Sequence, residues 1–406
     1  MSSRFGWLDT DEAQRRQMME VVDLFKDEGT IDEIGIGTVR DTIANALFPG
    51  LSVLHTRLRY VLFVPWLVQD ALASTSGGSA QAAIRLRRLE TQLIDSLVKG
   101  TAGGAATGII GVAARGRLKR MPSGTFWSVL GRWGVRDWDE SIEGYLRRST
   151  GLRELVGSLP VADDLAARDE RRTSGFVQAL PAAPAGLLTE ADFTLTPNES
   201  EFLAHQINAS TAGSLLAWLV DNPAGRDCAR VWDLPNLDEA PSAMVALVDH
   251  ARRLHVAIHG APLLYNLMLA EEAGNDDAID YYQEQLEEWS SELAEAEVFD
   301  GWNRADFWAT LLALNPRIRP RTQNFVNSWL ALVQHGADLG GSVEARELIR
   351  ARERQIKGAR ARLGNRAAID LWSGQSGLVR LDFRWAVAQR MMADLHHTGG
   401  AADARA

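Results

Sequence analysis

Cysteine is almost missing from this chain of 406 residues. The single thiol, Cys228, excludes an internal disulfide and any zinc site built from several thiolates. Long apolar runs are missing too, because the longest, Tyr60 to Val68, is interrupted by Pro65 and is far shorter than the roughly 20 residues that cross a bilayer. Residues 1–11 lack the basic-then-apolar order of a secretion signal. The sequence therefore predicts a cytoplasmic protein without membrane contact.

Motifs of several enzyme classes are absent as well. No glycine precedes a lysine, which excludes the phosphate-binding Gly-Lys-Ser/Thr loop. The Gly-x-Ser-x-Gly nucleophile elbow and a His-x-Lys pair are not found. A common nuclease pattern places an acidic residue two positions before a lysine, and none of the four lysines has one there. We therefore predict no catalytic residue and no cofactor, although an active site assembled from distant residues stays an alternative.

The composition is that of an ordinary globular protein, with 46% hydrophobic and 24% charged residues. Apolar residues recur at helical intervals along most of the chain, which predicts a mainly α, multi-helical fold. We predict an N-terminal helical domain at 1–159, a linker or insertion at 160–195, a C-terminal helical domain at 196–395 and a disordered tail at 396–406. A small helix-turn-helix or winged-helix-like unit is an option near 100–140.

Two helix boundaries are marked by short motifs. Thr196, Pro197 and Glu199 have the spacing of a capping box with proline at the first helical position. A second helix is predicted to begin near Ser123 and to stop at Gly134, where the apolar pattern ends. Both signals are local, so they predict the ends of helices and not how the helices pack.

Positive charge is concentrated in one stretch of this acidic chain, whose formal net charge is −10. This basic block has six basic residues and no carboxylate: Arg115, Arg117, Lys119, Arg120, Arg132 and Arg136. Such a concentration favours a polyanion, so we predict that these six residues bind nucleic acid. An acidic surface of the same protein or of a partner is the rival occupant. Phe126, Trp127 and Trp133 have the spacing of helix anchors rather than of a base-stacking platform.

Two further segments combine an apolar stripe with charge of mainly one sign. From 276 to 297 the stripe includes Tyr282, Leu286 and Trp289, and the other faces are acidic. From 343 to 366 apolar residues recur every seven positions, and basic residues outnumber acidic ones. Each segment is predicted to be a helix. Their opposite charges suggest that the two helices pack together, whereas exposed charge would favour docking of partner proteins.

Histidines and isolated arginines give two weaker clues. His255 and His259 lie one helical turn apart, but Val256 stands where a zinc protease carries its glutamate. We therefore favour packing histidines over ligands and predict no metal site. An otherwise apolar segment contains the charged residues Arg40, Asp41, Arg57 and Arg59, which predicts a buried ion pair.

Short motifs spread along almost the whole chain resemble those of one bacterial family. They are Phe5-Gly6-Trp7-Leu8-Asp9, Gly35-Ile36-Gly37-Thr38-Val39-Arg40-Asp41, Phe48-Pro49-Gly50, Thr56-Arg57, Arg59-Tyr60, Phe63-Val64-Pro65-Trp66, Trp133-Gly134, Arg352-Glu353 and Lys357-Gly358. Through these motifs the chain resembles a domain family of unknown function that is associated with anti-phage defence gene clusters. The resemblance implies a setting beside helicases and DNA-modifying enzymes, and it brings no catalytic residue with it.

The basic block and the resemblance lead to one functional prediction. The chain is expected to be a non-catalytic accessory protein of a bacterial defence system that contacts DNA, RNA or a nucleic-acid-processing complex. The alternative is a protein–protein interaction scaffold of a defence complex that binds no nucleic acid. The two predictions differ in whether the basic block meets a polyanion in solution.

Overall fold

The structure is a computed structural model, and it describes residues 32–74, 77–101, 107–157, 175–223, 227–336 and 338–397. These residues are mainly helical and include no β-strand, which confirms the predicted fold class. One isolated antiparallel bridge joins Arg136 and Phe176. Of the helices in this part of the chain, none is both long enough and apolar enough to cross a membrane.

The described residues form fourteen α-helices, numbered here in chain order. They are α1 (Gly37–Leu47), α2 (Tyr60–Ala73), α3 (Ser79–Gly100), α4 (Pro122–Arg132), α5 (Ile142–Gly157), α6 (Pro197–Ser210), α7 (Leu215–Asp221), α8 (Ser242–Ala273), α9 (Asp276–Glu295), α10 (Arg304–Leu314), α11 (Pro320–Gln334), α12 (Val343–Lys357), α13 (Arg366–Ile369) and α14 (Trp385–His396). Single 3₁₀ turns lie at Arg115–Arg117, Val231–Asp233, Leu237–Glu239 and Gly358–Arg360.

The chain divides into two compact units, and each unit draws on separated stretches of sequence. Unit 1 joins the residues up to 43 with 247–383, and unit 2 joins 44–246 with the residues from 384 onward. Each unit therefore depends on chain segments that are far apart in sequence, a property that composition along the chain does not reveal.

The predicted domains 1–159 and 196–395 have other bounds than these units. The predicted linker at 160–195 and the predicted tail at 396–406 lie partly outside the described residues. The sequence-based division therefore stays a prediction.

Helix α2 is the centre of unit 2 because it is apolar on every face. All its residues from Tyr60 to Val68 are buried. A helix of this kind must be enclosed by other elements, and α3, α4 and α5 pack against it. Tyr60 contacts the rings of Phe126 in α4 and of Phe193, with centroids 5.1 and 5.5 Å apart. This packing holds in place the two helices, α3 and α4, that flank the basic block.

Helix α8 has the corresponding role in unit 1, where the acidic helix α9 packs on it through a tryptophan. The Trp289 indole donates to the carbonyl of Val256 at 2.7 Å. A Cβ atom at Gly260 would lie 2.4 Å from that indole, so only glycine allows this close approach. Tyr282, Leu286 and Trp289 are buried, which confirms the predicted apolar stripe.

Both local helix signals are confirmed. Glu199 donates its backbone N–H to the Thr196 hydroxyl at 3.3 Å, and its carboxylate accepts from the Thr196 N–H at 2.9 Å, which completes the capping box. The helix predicted near Ser123 is α4, and Gly134 follows it in the left-handed conformation with φ of 67°. These boundaries depend on contacts within a few residues, which explains why the sequence located them.

Residues 107–140 contain one 3₁₀ turn and helix α4. The connection from α4 to α5, residues 133–141, is longer than the tight turn of a helix-turn-helix motif. A winged helix also needs a β-hairpin, and residues 107–157 include no strand. The small unit suggested for 100–140 is therefore not formed by the described part of that stretch.

The basic helix is shorter than predicted, and its ion pairs differ from the expected ones. It ends at Lys357 because Gly358, with φ of 56°, turns the chain away. Its residues Arg346 and Arg350 pair with Glu271 and Glu272 at the end of α8. Within the described residues these two ion pairs run to α8 and not to the acidic helix α9. The packing of the two charged helices against each other therefore stays a prediction.

Candidate nucleic-acid interface

The first four residues of the basic block lie on one short segment, residues 115–120, called the basic turn here. Arg115 has a φ of 45° and forms an ion pair with Asp95 of α3. From the same helix, the Arg87 guanidinium donates to the carbonyl of Leu118 at 2.9 Å. Two solvent-exposed contacts thus join the basic turn to α3.

The basic turn presents three positive charges at the protein surface. The side chains of Arg117, Lys119 and Arg120 are exposed. Arg87 and Arg88 of α3 are exposed as well, so the positive surface extends beyond the predicted block. The sequence-based prediction missed Arg87 and Arg88 because they lie in the helix that precedes the block. Their only sign in the sequence is that both are basic residues of the same helix.

The aromatic residues of the block anchor α4 in unit 2. Phe126 and Trp133 are buried, and the Trp133 indole donates to the carbonyl of Pro49 at 2.9 Å. Gly50, with φ of 89°, brings the chain so close that a Cβ atom there would lie 2.8 Å from the indole nitrogen. The Trp127 indole donates to a backbone carbonyl at 2.8 Å. These contacts confirm the aromatic residues as helix anchors.

A groove of about 850 Å³ runs beside α4 in unit 2. Three residues of the basic block line it: Arg120, Arg132 and Arg136. Acidic residues line it as well, namely Asp137, Asp139 and Glu140. The groove therefore offers cations and carboxylates together, which distinguishes it from the purely basic turn.

Arg132 and Arg136 meet different surroundings in this groove. Arg132 is exposed, and its guanidinium donates to the carbonyl of Ser210 at 3.0 Å. Arg136 is only 7% exposed. Its guanidinium lies over the Trp127 ring at 5.0 Å, and its nearest carboxylate, Asp139, is 3.9 Å away. Burial lowers the pKa of the Arg136 guanidinium, and the charge of Asp139 opposes this effect only in part.

The structure thus divides the six predicted residues by what their side chains face. Arg117, Lys119 and Arg120 are exposed, Arg115 and Arg132 are exposed but already bonded within the protein, and Arg136 is buried at the groove. Arg120 belongs to both the basic turn and the groove. It connects the two surfaces into one candidate interface.

A family model matches residues 1–399, almost the entire chain. The chain belongs to DUF6361, a family of unknown function. No curated protein and no solved structure matches it. Membership in DUF6361 therefore gives the chain a family but no activity, and the chemistry must be argued from the residues themselves.

Two arginines of the motifs that carried the resemblance form ion pairs within unit 2. Arg57 forms an ion pair with Asp394 at 2.8 Å, and Arg59 forms another with Glu199 at 2.9 Å. Arg59, Glu199 and Asp394 are buried, so the predicted burial of ion pairs is confirmed for Arg57 and Arg59. Arg40 and Asp41 pair with each other at 3.0 Å but stay partly exposed, so the prediction is wrong for them. The amino-terminal motif, residues 5–9, lies outside the described residues. In the part of the chain that is described, these motifs of the DUF6361 chain thus serve the fold.

A second polar cluster, in unit 1, was missed by sequence analysis. Glu353 is fully buried and accepts from the Tyr265 hydroxyl at 2.6 Å and from the Lys357 ammonium at 2.9 Å. Glu33 pairs with the same Lys357 and with Arg362. Only the spacing of Glu353 and Lys357 on one helix is visible in the sequence. Because these charges satisfy one another, we assign the cluster to stability and not to catalysis.

The histidines of α8 bond within unit 1. His250 accepts from the Trp302 indole at 3.2 Å and faces Asp306 at 3.2 Å. His255 bonds the carbonyl of Leu381 at 2.7 Å. Across the stretches of chain described, no three His, Cys, Asp or Glu residues are grouped so that they could hold a metal ion. The contacts of His250 and His255 are those of packing residues.

Proposed function

We propose that this protein binds nucleic acid through the basic turn and the adjoining groove, as a cytoplasmic, non-catalytic accessory protein of a bacterial defence system. One observation supports the proposal most strongly. Arg117, Lys119 and Arg120 are exposed together on a short segment that is hydrogen-bonded to α3. Several exposed cations close together neutralise neighbouring phosphates and release their counterions.

The mode of binding follows from what surrounds these cations. Phe126 and Trp133 are buried and have no face free for a base. Contact is therefore mainly with phosphates, which makes binding dependent on salt and weakly dependent on sequence. The formal net charge is −10, so the acidic surfaces repel a polyanion and contact is expected where positive charge is concentrated.

Neutralising the basic turn tests the proposal. The triple variant Arg117→Gln, Lys119→Gln and Arg120→Gln is expected to bind labelled DNA or RNA about tenfold more weakly, because counterion release from three phosphates is lost. For the same reason the slope of log affinity against log salt is expected to flatten by up to about 3. Fluorescence anisotropy titrations from low to moderate salt measure both quantities.

A matched control exists in unit 1. Arg317, Arg319 and Arg321 are exposed and equally closely spaced, so the corresponding triple glutamine variant changes the net charge by the same amount. It is expected to leave the affinity and the salt slope nearly unchanged. Equal effects of the two triple variants would show that only net charge matters, and the proposed site would then be wrong.

An interaction scaffold is the second candidate function, and the acidic face of α9 favours it. Exposed carboxylates cover that face: Asp276, Asp277, Asp280, Glu284, Glu287, Glu288 and Glu295. A surface of this charge suits a basic partner protein. The two functions are separated by the wild-type titration, because a scaffold of this kind shows no salt-dependent binding of nucleic acid.

A further inference from the structure

Arg136 stands out because its guanidinium is buried with a single long ion pair, to Asp139 at 3.9 Å. Its Nε and Nη1 atoms are inaccessible to solvent and have no hydrogen-bond acceptor. Arg352, the buried arginine of unit 1, instead donates to the carbonyls of Ile34 and Gly35 and to the side chain of Thr322. The fold can thus saturate a buried guanidinium, and at Arg136 it does not.

Leaving a buried cation unsaturated destabilises the folded state. Replacing such a residue by an apolar one of similar size is often neutral or stabilising. The Trp127 ring beneath the guanidinium and the distant Asp139 carboxylate compensate only part of the desolvation. A buried charge that destabilises the fold is expected mainly at functional sites. Arg136 lines the groove beside α4.

The atoms around the guanidinium show where a ligand approaches. Nη2 lies beside the backbone of Gly131, since a Cβ atom there would be only 2.4 Å away. Arg120 and Arg132 line the same groove and are exposed. Three arginines therefore line one cavity, and arginine is the residue type suited to the oxygens of a phosphate group.

The carboxylates of the groove narrow the choice of ligand. Glu140 pairs with Arg148 at 2.8 Å, but Asp137 and Asp139 are exposed and would repel a ligand that carries only negative charge. An unpaired nucleotide offers a phosphate to the arginines and base N–H groups to the carboxylates. In a duplex those N–H groups are occupied by base pairing. The groove thus matches a nucleotide of a single strand better than a duplex or a simple anion.

We infer that the groove beside α4 binds one nucleotide of a single-stranded nucleic acid, with its phosphate on Arg136, Arg132 and Arg120 and its base edge toward the carboxylates. The inference rests on the proposed function for the identity of its ligand. It adds a strand preference that the basic turn, which contacts phosphates of any strand, does not provide.

Two substitutions test the subsite, and both are expected to preserve the fold. Arg136→Met removes the buried charge and keeps an apolar side chain on Trp127, so its thermal unfolding midpoint is expected to equal or exceed that of the wild type. Gly131→Ala places a Cβ atom 2.4 Å from Nη2 of Arg136, so the guanidinium must shift. The control is Gly151→Ala in α5, outside the groove, where no atom lies within 4 Å of the added carbon.

Anisotropy titrations with a labelled single-stranded oligonucleotide and with a hairpin duplex of the same composition measure the effect. We expect Arg136→Met and Gly131→Ala to weaken single-strand binding at least tenfold, with duplex binding within twofold of the wild type. Gly151→Ala is expected to match the wild type on both probes. A single-strand affinity that Arg136→Met leaves unchanged, or a lowered unfolding midpoint of this variant, would overturn the inference and make Arg136 a structural residue.

Failure of the subsite and failure of the proposed function give different results. If the triple variant of the basic turn weakens both probes while Arg136→Met weakens neither, only the subsite is wrong. If the wild type binds neither probe, both are wrong. Nucleoside monophosphate is added as a competitor, and displacement of the oligonucleotide at micromolar concentration would overturn the assignment of a strand and make a free nucleotide the ligand.

Discussion

Replacing Glu353 by alanine is expected to lower the free energy of unfolding of unit 1 by about 4 kcal/mol. The carboxylate is fully buried and accepts four hydrogen bonds. Two come from the side chains of Tyr265 and Lys357, and two from the backbone N–H groups of Arg362 and Leu363. Burial opposes the charged form, but these donors outweigh it and hold the pKa of Glu353 below its ordinary value.

The expected loss comes mainly from the groups that the substitution leaves without an acceptor. Lys357 keeps its second carboxylate, Glu33. The Tyr265 hydroxyl and the two backbone N–H groups lose the acceptor that Glu353 provides and stay desolvated, each at a cost of about 1–3 kcal/mol. Because a domain is stable by only roughly 5–15 kcal/mol in total, the substitution removes much of the stability of unit 1.

Urea unfolding followed by circular dichroism measures this effect. Glu347→Ala is the control, because Glu347 lies on the same helix and is exposed, and surface substitutions of this kind stay within roughly 0.5 kcal/mol. Equal unfolding midpoints for the two variants would contradict the role assigned to the cluster.

Features set by neighbouring residues were predictable from the sequence. The capping box at Thr196 and the stop at Gly134 depend on contacts within a turn of helix. The end of the basic helix was missed although Gly358 stands at it, because the charge and the seven-residue period continue past it. The seven-residue period predicted that the helix continues, whereas the positive φ of Gly358 ends it.

The candidate site was predictable as a composition but not as a surface. From the sequence, Arg117 and Arg136 are both predicted to bind nucleic acid, yet Arg117 is exposed and Arg136 is buried on Trp127. Burial depends on the bridge to Phe176, a residue far along the chain. Glu353 and Glu33 likewise meet through Lys357 although most of the chain separates them. Pairings at such distances leave no periodic signal.

The second large effect concerns Glu90, a carboxyl group of α3 beneath the start of α4. Its side chain is 2% exposed and accepts from the Ser123 N–H at 2.7 Å. Burial raises the pKa of Glu90 from 4.5 to about 7, although the hydrogen bonds from Ser123 act in the opposite direction. The difference in pKa between the unfolded and folded states corresponds to roughly 3 kcal/mol.

The sign follows from proton linkage. The folded state binds the proton of Glu90 more tightly than the unfolded state does. This difference therefore stabilises the folded protein fully below pH 4.5, and the stabilisation is lost as the pH rises through about 7. His55 acts in the opposite direction, since burial lowers its pKa from 6.5 to about 4 and its contribution is lost as the pH falls across that range. In the wild type, a rise in pH thus lowers the free energy of unfolding through Glu90 and raises it through His55.

Glu90→Gln is therefore expected to match the wild type near pH 4.5 and to be more stable by up to roughly 3 kcal/mol at pH 8, because the glutamine accepts from Ser123 without a buried charge. Urea unfolding of both proteins at several pH values gives the difference, in which the contribution of His55 cancels. Glu143→Gln, at an exposed position of α5, is expected to give a difference that does not vary with pH. A Glu90→Gln difference that is flat, or largest in acid, would show that Glu90 is charged in the folded protein near neutral pH and that Ser123 at the start of α4 outweighs its burial.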